Sequence, residues 1–276
     1  MQFVGRNVLN KLDKINQIVD FQKARKENNF ICDKSLNVKF EHDEKFEFVG
    51  LKEKLKKFPI FYRFLIIIIS SVYVTTKFRD KLIKYFLNKN GIILNIASGN
   101  YQINKEIINV DLFAYPNVDI VSDATNLCLK RDSVDLIVNE SSLEHIYNYK
   151  VVISESFRVL KKDGNAYFTV PFIYEFHASP NDFHRFTKED LRKLFEEFGF
   201  AVEDIGILAG PASSFLGITT NFLAILLSFG FESLYQFWIL FFMLLLWPIK
   251  FLDFFLNKIK FSSNIAAIFY VIAKKV

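Results

Sequence analysis

Residues 173–187 read Ile-Tyr-Glu-Phe-His-Ala-Ser-Pro-Asn-Asp-Phe-His-Arg-Phe-Thr, which gathers His177, Asp182, His184 and Arg185 into one short segment. Histidine titrates near neutrality, so a histidine in such a loop suits proton transfer with a substrate hydroxyl. His177 is the first candidate for that base and His184 the second, with Asp182 orienting one of them. For each histidine a loop-fixing hydrogen bond is the competing role. Arg185 fits a clamp on the loop, or on an acidic substrate group, better than it fits proton transfer. His177, Asp182 and His184 could ligate a metal by residue type, but no metal is expected.

Two further carboxylates follow short apolar runs. Ile92-Ile93-Leu94-Asn95-Ile96 has the profile of a buried parallel strand and ends at the small-residue turn Ala97-Ser98-Gly99. Backbone amides at such a turn can approach a ligand closely. The next run, Ile107-Ile108-Asn109-Val110, ends in Asp111. A carboxylate there can accept the vicinal hydroxyls of a ribose. Asp123, before Ala124, would stand at the following strand end and could take the exocyclic amine of an adenine. Ligands of open parallel sheets lie outside the carboxyl ends of the strands, where all three features fall.

The series continues with Val134-Asp135-Leu136-Ile137-Val138, Leu143-Glu144-His145 and Arg158-Val159-Leu160-Lys161-Lys162-Asp163-Gly164. In this order and spacing the segments resemble the core of the class I methyltransferases that use S-adenosylmethionine, over residues from about 91 to 210. The resemblance implies an α/β, Rossmann-like fold with a seven-stranded, mostly parallel sheet. It also implies S-adenosylmethionine as cofactor, bound by Asn95, Ala97, Ser98, Gly99, Asp111, Leu112, Asp123, Ala124, Asn139 and His145. The segment His177-x-x-Pro180-x-Asp182-Phe183-x-Arg185-Phe186-Thr187 resembles a loop of bacterial methyltransferases often found with genes for cell-surface polysaccharides. That likeness implies a sugar or lipid-linked glycan as acceptor.

The chain departs from the family at the first turn, where an acidic residue and Gly-x-Gly-x-Gly are usual. Here Asn95, Ala97, Gly99 and Tyr101 stand in those places, so the charge facing the sulfonium is lost and only the middle glycine remains. The first connections are also short, about eight residues from Ser98 to Ile107 and about six from Asp111 to Val118. A parallel crossover normally needs a dozen or more. The helices after the first two strands are therefore expected to be missing or reduced, with the segment before residue 91 helping to cover that face. Arg158–Gly164 reads as a helix end with a glycine cap, and Thr187 as the cap of a helix whose stripe is Leu191, Leu194, Phe195 and Phe198.

Composition adds a membrane component. The chain has 276 residues, of which 33 are Phe and 51% are hydrophobic, high for a soluble protein. The net charge of +5 is mild and the basic residues are scattered, so no nucleic-acid surface is expected. The two cysteines, Cys32 and Cys128, are far apart and have no ligand spacing. Residues 1–30 are polar with no continuous apolar core, so no cleavable secretory signal is expected there. Charged runs at Lys23–Glu27 and Glu41–Lys45 read as solvated faces, His42 as a surface residue, and 58–75 as containing an apolar helix.

Phe215–Phe229 and Leu234–Trp247 are nearly continuous apolar runs broken at Gly230 and Glu232. Each would make a helix of about 22 Å, short of the roughly 30 Å hydrocarbon core. They read as a hairpin entering one leaflet or lying in the interface, anchored by Trp238, Trp247, Tyr235 and the lysines from Lys250 onward. A buried helical pair or a dimer interface is the alternative. The expected organisation is an extension (1–90), a methyltransferase-like domain (91–210 with 263–276) and the hairpin insertion (211–262), at the cytoplasmic face of the membrane. A catalytically degenerate binding protein, or a methyltransferase of a lipid or quinone, are the competing functional readings.

Overall fold

The computed structural model describes residues 10–27, 30–36, 68, 70–178 and 180–276. Its strands are β1 (Ala24–Glu27), β2 (Phe30–Asp33), β3 (Ile93–Ile96), β4 (Ile108–Asp111), β5 (Ile120–Val121), β6 (Val134–Glu140), β7 (Leu160–Pro171), β8 (Phe200–Ala209) and β9 (Ile268–Lys275). The main helices are α1 (Lys11–Ile18), α2 (Lys77–Asn88), α3 (Tyr149–Val159), α4 (Lys188–Glu197), α5 (Pro211–Ser228) and α6 (Glu232–Leu246). The apolar helix expected near 58–75 lies largely outside the described residues, as do Glu41–Lys45 and His42.

One sheet runs in the order β1-β2-β5-β4-β3-β6-β7-β9-β8. Strands β2 to β7 pair in parallel, and β9 is antiparallel to both β7 and β8. The described sheet thus has nine strands rather than seven. The additional pair is the β1–β2 hairpin, which joins the β5 edge through Ile31 opposite Ile120 and Cys32 opposite Val121. Its outer strand is Ala-Arg-Lys-Glu, the charged run that reads as a solvated face. Charges there protect the edge from pairing with another chain.

No helix follows β3, β4 or β5 among the described residues. The face they would cover is closed by α1, whose Ile15 and Ile18 join Leu94, Ile96, Ile108, Val110 and Ile120 in the larger core. Lys14 donates to the Gly91 carbonyl at 3.0 Å and Lys11 pairs with Asp119 at 2.7 Å, which fixes that helix on the sheet. On the opposite face Ile83 and Phe86 of α2 pack against Ile93, Leu136, Val138 and Tyr167. Helix α4 is capped by Thr187, which accepts the Asp190 N–H at 3.2 Å.

Gly164 does not cap a helix. Helix α3 ends at Val159 and β7 begins at Leu160, so Gly164 lies within the strand. An added Cβ there would meet the Lys161 and Asp135 carbonyls at 3.0 and 3.1 Å, beside the register shift between β6 and β7. Arg158 instead pairs with Glu155 and donates to the carbonyls of Leu127 and Leu129.

Helices α5 and α6 pack on each other between β8 and β9, and the chain reverses at Phe229 and Gly230, both with positive φ. The base of this hairpin is locked by Asp253. Its fully buried carboxylate accepts the N–H groups of Gly210 (3.0 Å), Ala212 (2.8 Å) and Ser213 (3.0 Å) and the Ser213 hydroxyl (2.6 Å). A carboxylate at the start of α5 satisfies donors that have no partner within the helix and complements its dipole. Asp253→Ala is expected to lower unfolding stability by about 2–4 kcal/mol, since it strands several buried donors. Denaturant titration of the purified protein measures this, and a loss under about 0.5 kcal/mol would show that the lock is not needed.

Candidate active site

The carboxyl ends of β3, β4, β5 and β6 open on a cleft of about 620 Å³. The turn after β3 enters it with both Ala97 (φ 53°) and Gly99 (φ 54°) in the left-handed region. Ala97 therefore holds a conformation natural to glycine, at a cost of order 1 kcal/mol. Asp111, at the end of β4, ties this turn to the next: its carboxylate accepts the Gly99 N–H at 2.7 Å and the Phe113 N–H at 2.9 Å. Asp123 closes its own turn by accepting the Thr125 N–H and hydroxyl, both at 2.7 Å.

Of the ten residues expected to hold a cofactor, the cleft brings together Ala97, Gly99, Asp111, Leu112, Asp123, Ala124 and His145. Asn95, Ser98 and Asn139 are not among its walls. The Asn95 amide donates to Asn109 within the sheet at 3.2 Å, and the Ser98 hydroxyl donates to the Gly99 carbonyl at 3.2 Å. Asn139, fully buried, donates to the Ile96 carbonyl (3.0 Å) and to Ser142 (2.6 Å), which joins the ends of β3 and β6 from beneath. The sequence reading missed Tyr115, Thr125, Ser141, Ser142, Tyr147 and Phe183 as lining residues. A larger hollow of about 750 Å³ lies at the opposite ends of the strands, among lysines and acids such as Lys161, Asp135 and Glu203. Ligands of open α/β sheets bind at the carboxyl ends, so the smaller cleft is the cofactor candidate.

A second cavity, about 450 Å³, shares Ser141 and His145 with the cleft and is lined by Val72, Val74, Glu140, Glu144, Thr169, Tyr174, His177, Leu208 and Ile268. Arg79 of α2 donates from Nη1 to both carboxylate oxygens of Glu140, at 2.9 and 2.8 Å. Burial raises the Glu140 pKa, and the Arg79 charge opposes that rise.

Glu144 is fully buried, and neither of its carboxylate oxygens has a hydrogen-bond partner among the described residues. Oε1 lies 3.7 Å from His177 Nε2 and 3.9 Å from His145 Nε2, outside hydrogen-bonding distance but close enough to pair with a charged ring. Glu144 opposite raises the His177 pKa above its ordinary value, while burial acts to lower it. The residue is adjacent to His145 in the Leu143-Glu144-His145 segment. Its position at the junction depends on that turn meeting the 173–187 loop, which no local pattern encodes.

The loop is fastened by Asp182 and Arg185. Asp182 accepts the His177 N–H at 2.9 Å and is paired with Arg185, which holds its carboxyl down at about 2. Arg185 also donates to the carbonyls of Tyr174, Glu175 and His184, so its guanidinium is committed to the loop. His184 lines neither cavity. Its Nε2 donates to the Tyr147 carbonyl at 3.2 Å and its ring packs edge-on against Tyr149, which is the loop-fixing role.

The strand order through β5-β4-β3-β6-β7-β9-β8, with β9 reversed, is that of a doubly wound sheet with one antiparallel strand near its edge. Its switch point lies at β3, where the cleft opens. Residues 90–168, which build β3 to most of β7, match a family model described as a methyltransferase domain. A Mycolicibacterium smegmatis protein designated a "probable S-adenosylmethionine-dependent methyltransferase" is 36% identical over 106 residues, 35% of this chain and 40% of that relative. The chain therefore spans well under two thirds of that relative's length. Among solved structures, the [4+2]-cyclase SpnF has a TM-score of 0.46 at 16% identity, covering 72% of this chain and 80% of its own. Phosphoethanolamine N-methyltransferase 2 of Haemonchus contortus, solved with S-adenosylmethionine, has a TM-score of 0.41 at 15% identity, covering 67% and 48%.

Proposed function

We propose that this protein is an S-adenosylmethionine-dependent methyltransferase that methylates a hydroxyl of a sugar or lipid-linked glycan at the cytoplasmic face of a membrane. The observation that carries the reading is the junction of the two cavities at Ser141 and His145. A cofactor in the cleft, with its ribose on Asp111, would present its methyl toward a second cavity with a polar wall of Glu144, His145 and His177. The other wall, Val72, Val74, Leu208 and Ile268, is apolar and suits the lipid end or a sugar ring face of an acceptor.

Methyl transfer to a hydroxyl needs removal of one proton as the methyl arrives. His177 Nδ1 lies 3.0 Å from the Glu175 carbonyl, which can only accept, so Nδ1 carries a hydrogen and the neutral ring presents its lone pair at Nε2. In its simplest form the cluster takes up the proton there, and Glu144 stabilises the resulting charge. A glycan acceptor is supported by the likeness of the 177–187 segment and by the polar wall. Membrane attachment is supported by the exposed apolar surface of α5, α6 and the segment after them. A scaffold without catalysis is disfavoured by Asp111 and Asp123 both facing the cleft, and a quinone acceptor by the polar wall.

The test is calorimetric titration with S-adenosylmethionine and its demethylated product. Asp111→Ala is expected to weaken both by more than tenfold, about 1.4 kcal/mol or more, because it removes the ribose acceptor and releases the Gly99 turn. Unchanged affinity in the folded variant would remove the ribose assignment. No binding to the folded parent protein would leave the scaffold reading.

A further inference from the structure

We propose that Glu144, His145 and His177 form a binding site for one divalent transition-metal ion, which activates the acceptor hydroxyl. The chemistry rests on the methyl-transfer reading above; the site itself rests on geometry alone. One ligand atom from each residue lies within 4.8 Å of the others. Around a four-coordinate ion with ligands at about 2.0–2.1 Å, neighbouring donors stand roughly 3.4 Å apart. The separations from Glu144 Oε1 are 3.7 and 3.9 Å and the ring-to-ring one lies within 4.8 Å, so binding an ion draws the three groups inward.

The decisive feature is how the two imidazoles are held. His145 Nδ1 is 2.6 Å from the Asn181 carbonyl and His177 Nδ1 is 3.0 Å from the Glu175 carbonyl. Both rings therefore donate from Nδ1 and turn Nε2, the ligating atom in the neutral ring, toward Glu144. Its two carboxylate oxygens are buried and receive no hydrogen bond from the described residues. A desolvated carboxylate so placed needs positive charge beside it, and a cation held between it and the two Nε2 atoms supplies that charge. Metal-bound histidines characteristically donate their other N–H to a carbonyl or carboxylate, as both do here. Two imidazoles and one carboxylate suit zinc, manganous or ferrous ions, with the remaining positions open to ligands from the acceptor cavity.

With the ion bound, His177 is a ligand and the proton takes another route. The acceptor hydroxyl coordinates the ion, which lowers its pKa, and its proton leaves to water. The alkoxide oxygen forms a bond to the methyl carbon as the carbon–sulfur bond breaks, with that electron pair returning to sulfur and cancelling the sulfonium charge. The products are the methyl ether, the demethylated cofactor and one released proton.

The test uses the full-length chain in detergent, stripped with a chelator and titrated with Zn²⁺, and with Co²⁺ as a spectroscopic probe. Binding of one Zn²⁺ per chain and visible Co²⁺ absorption are expected, with Glu144→Gln and His177→Ala each weakening Zn²⁺ binding at least 100-fold. S-adenosylmethionine affinity measured on the same samples reports folding and should stay within about threefold in Glu144→Gln. Zn²⁺ binding no tighter in the parent than in Glu144→Gln would overturn the site. If S-adenosylmethionine then still bound, the methyl-transfer reading would stand with His177 as base. Tight Zn²⁺ binding by a protein that ignores S-adenosylmethionine would support the site and remove the methyl-transfer reading.

Discussion

His177→Ala is expected to lower methyl transfer by about 10²–10³ in turnover while S-adenosylmethionine affinity changes by less than about threefold. The split follows from position. His177 lines the acceptor cavity and not the cofactor cleft, and its Nε2 points at Glu144 where the two spaces meet. Whether the cluster takes up a proton or holds an ion, loss of this ring disables activation of the hydroxyl without touching the cofactor. His184→Ala is expected to stay within about fivefold of the parent, because its ring only tethers the loop to the Tyr147 carbonyl. The measurement is transfer of labelled methyl from S-adenosylmethionine to a lipid-linked glycan fraction, at saturating cofactor. Equal losses in the two variants would mean that the effect runs through loop order, and a normal His177→Ala rate would put activation elsewhere.

The contrast between those two histidines shows what a sequence can and cannot carry. Both stand in one polar loop with the same flanking chemistry, and nothing local says which turns inward. The direction is decided by Asp182, which fixes the His177 backbone, and by the edge-on packing of His184 against Tyr149, an aromatic from a different element. Glu144 is the sharper case. Its importance comes from burial opposite two rings, one its neighbour in sequence and the other on a distant loop. The strands of the parallel core were legible because their buried, β-branched runs have no competing explanation, and short connections correctly excluded helices after β3 and β4. The β1–β2 hairpin was not legible, since a four-residue charged edge strand has the composition of a solvated turn. Asn95 and Asn139 sit at strand ends where cofactor contacts are common, but their amides join strands to one another and to the β6 turn.

Replacing Ala212–Ser262 by a short Gly-Ser bridge is expected to move the protein from the membrane fraction to the soluble fraction. The sheet permits the deletion, because Ala209 and Ile268 are cross-strand partners and Ala267 donates to the Ala209 carbonyl at 2.9 Å. A short loop can therefore span the gap. Both ends of the insertion leave the same sheet on one side, so the hairpin crosses a bilayer an even number of times or not at all. Helix α5 turns about half its surface toward the protein, while the segment Glu232–Leu256 is mostly exposed and apolar enough to enter a membrane. Phe222, Phe229, Phe237, Leu245 and Phe255 are among the large side chains left more than half exposed. Burying one such side chain contributes about 1.5–3 kcal/mol, so a handful gives more than enough to hold the protein on lipid. The deletion should also lower turnover, since Gly217 of α5 leaves the notch that receives Glu175, whose carbonyl holds His177. S-adenosylmethionine binding should persist, because no residue of the insertion lines the cofactor cleft. Flotation on liposomes, paired with calorimetry, separates the outcomes: continued flotation of the deleted protein would assign the membrane contact elsewhere, and loss of cofactor binding would show the hairpin to be part of the domain's core.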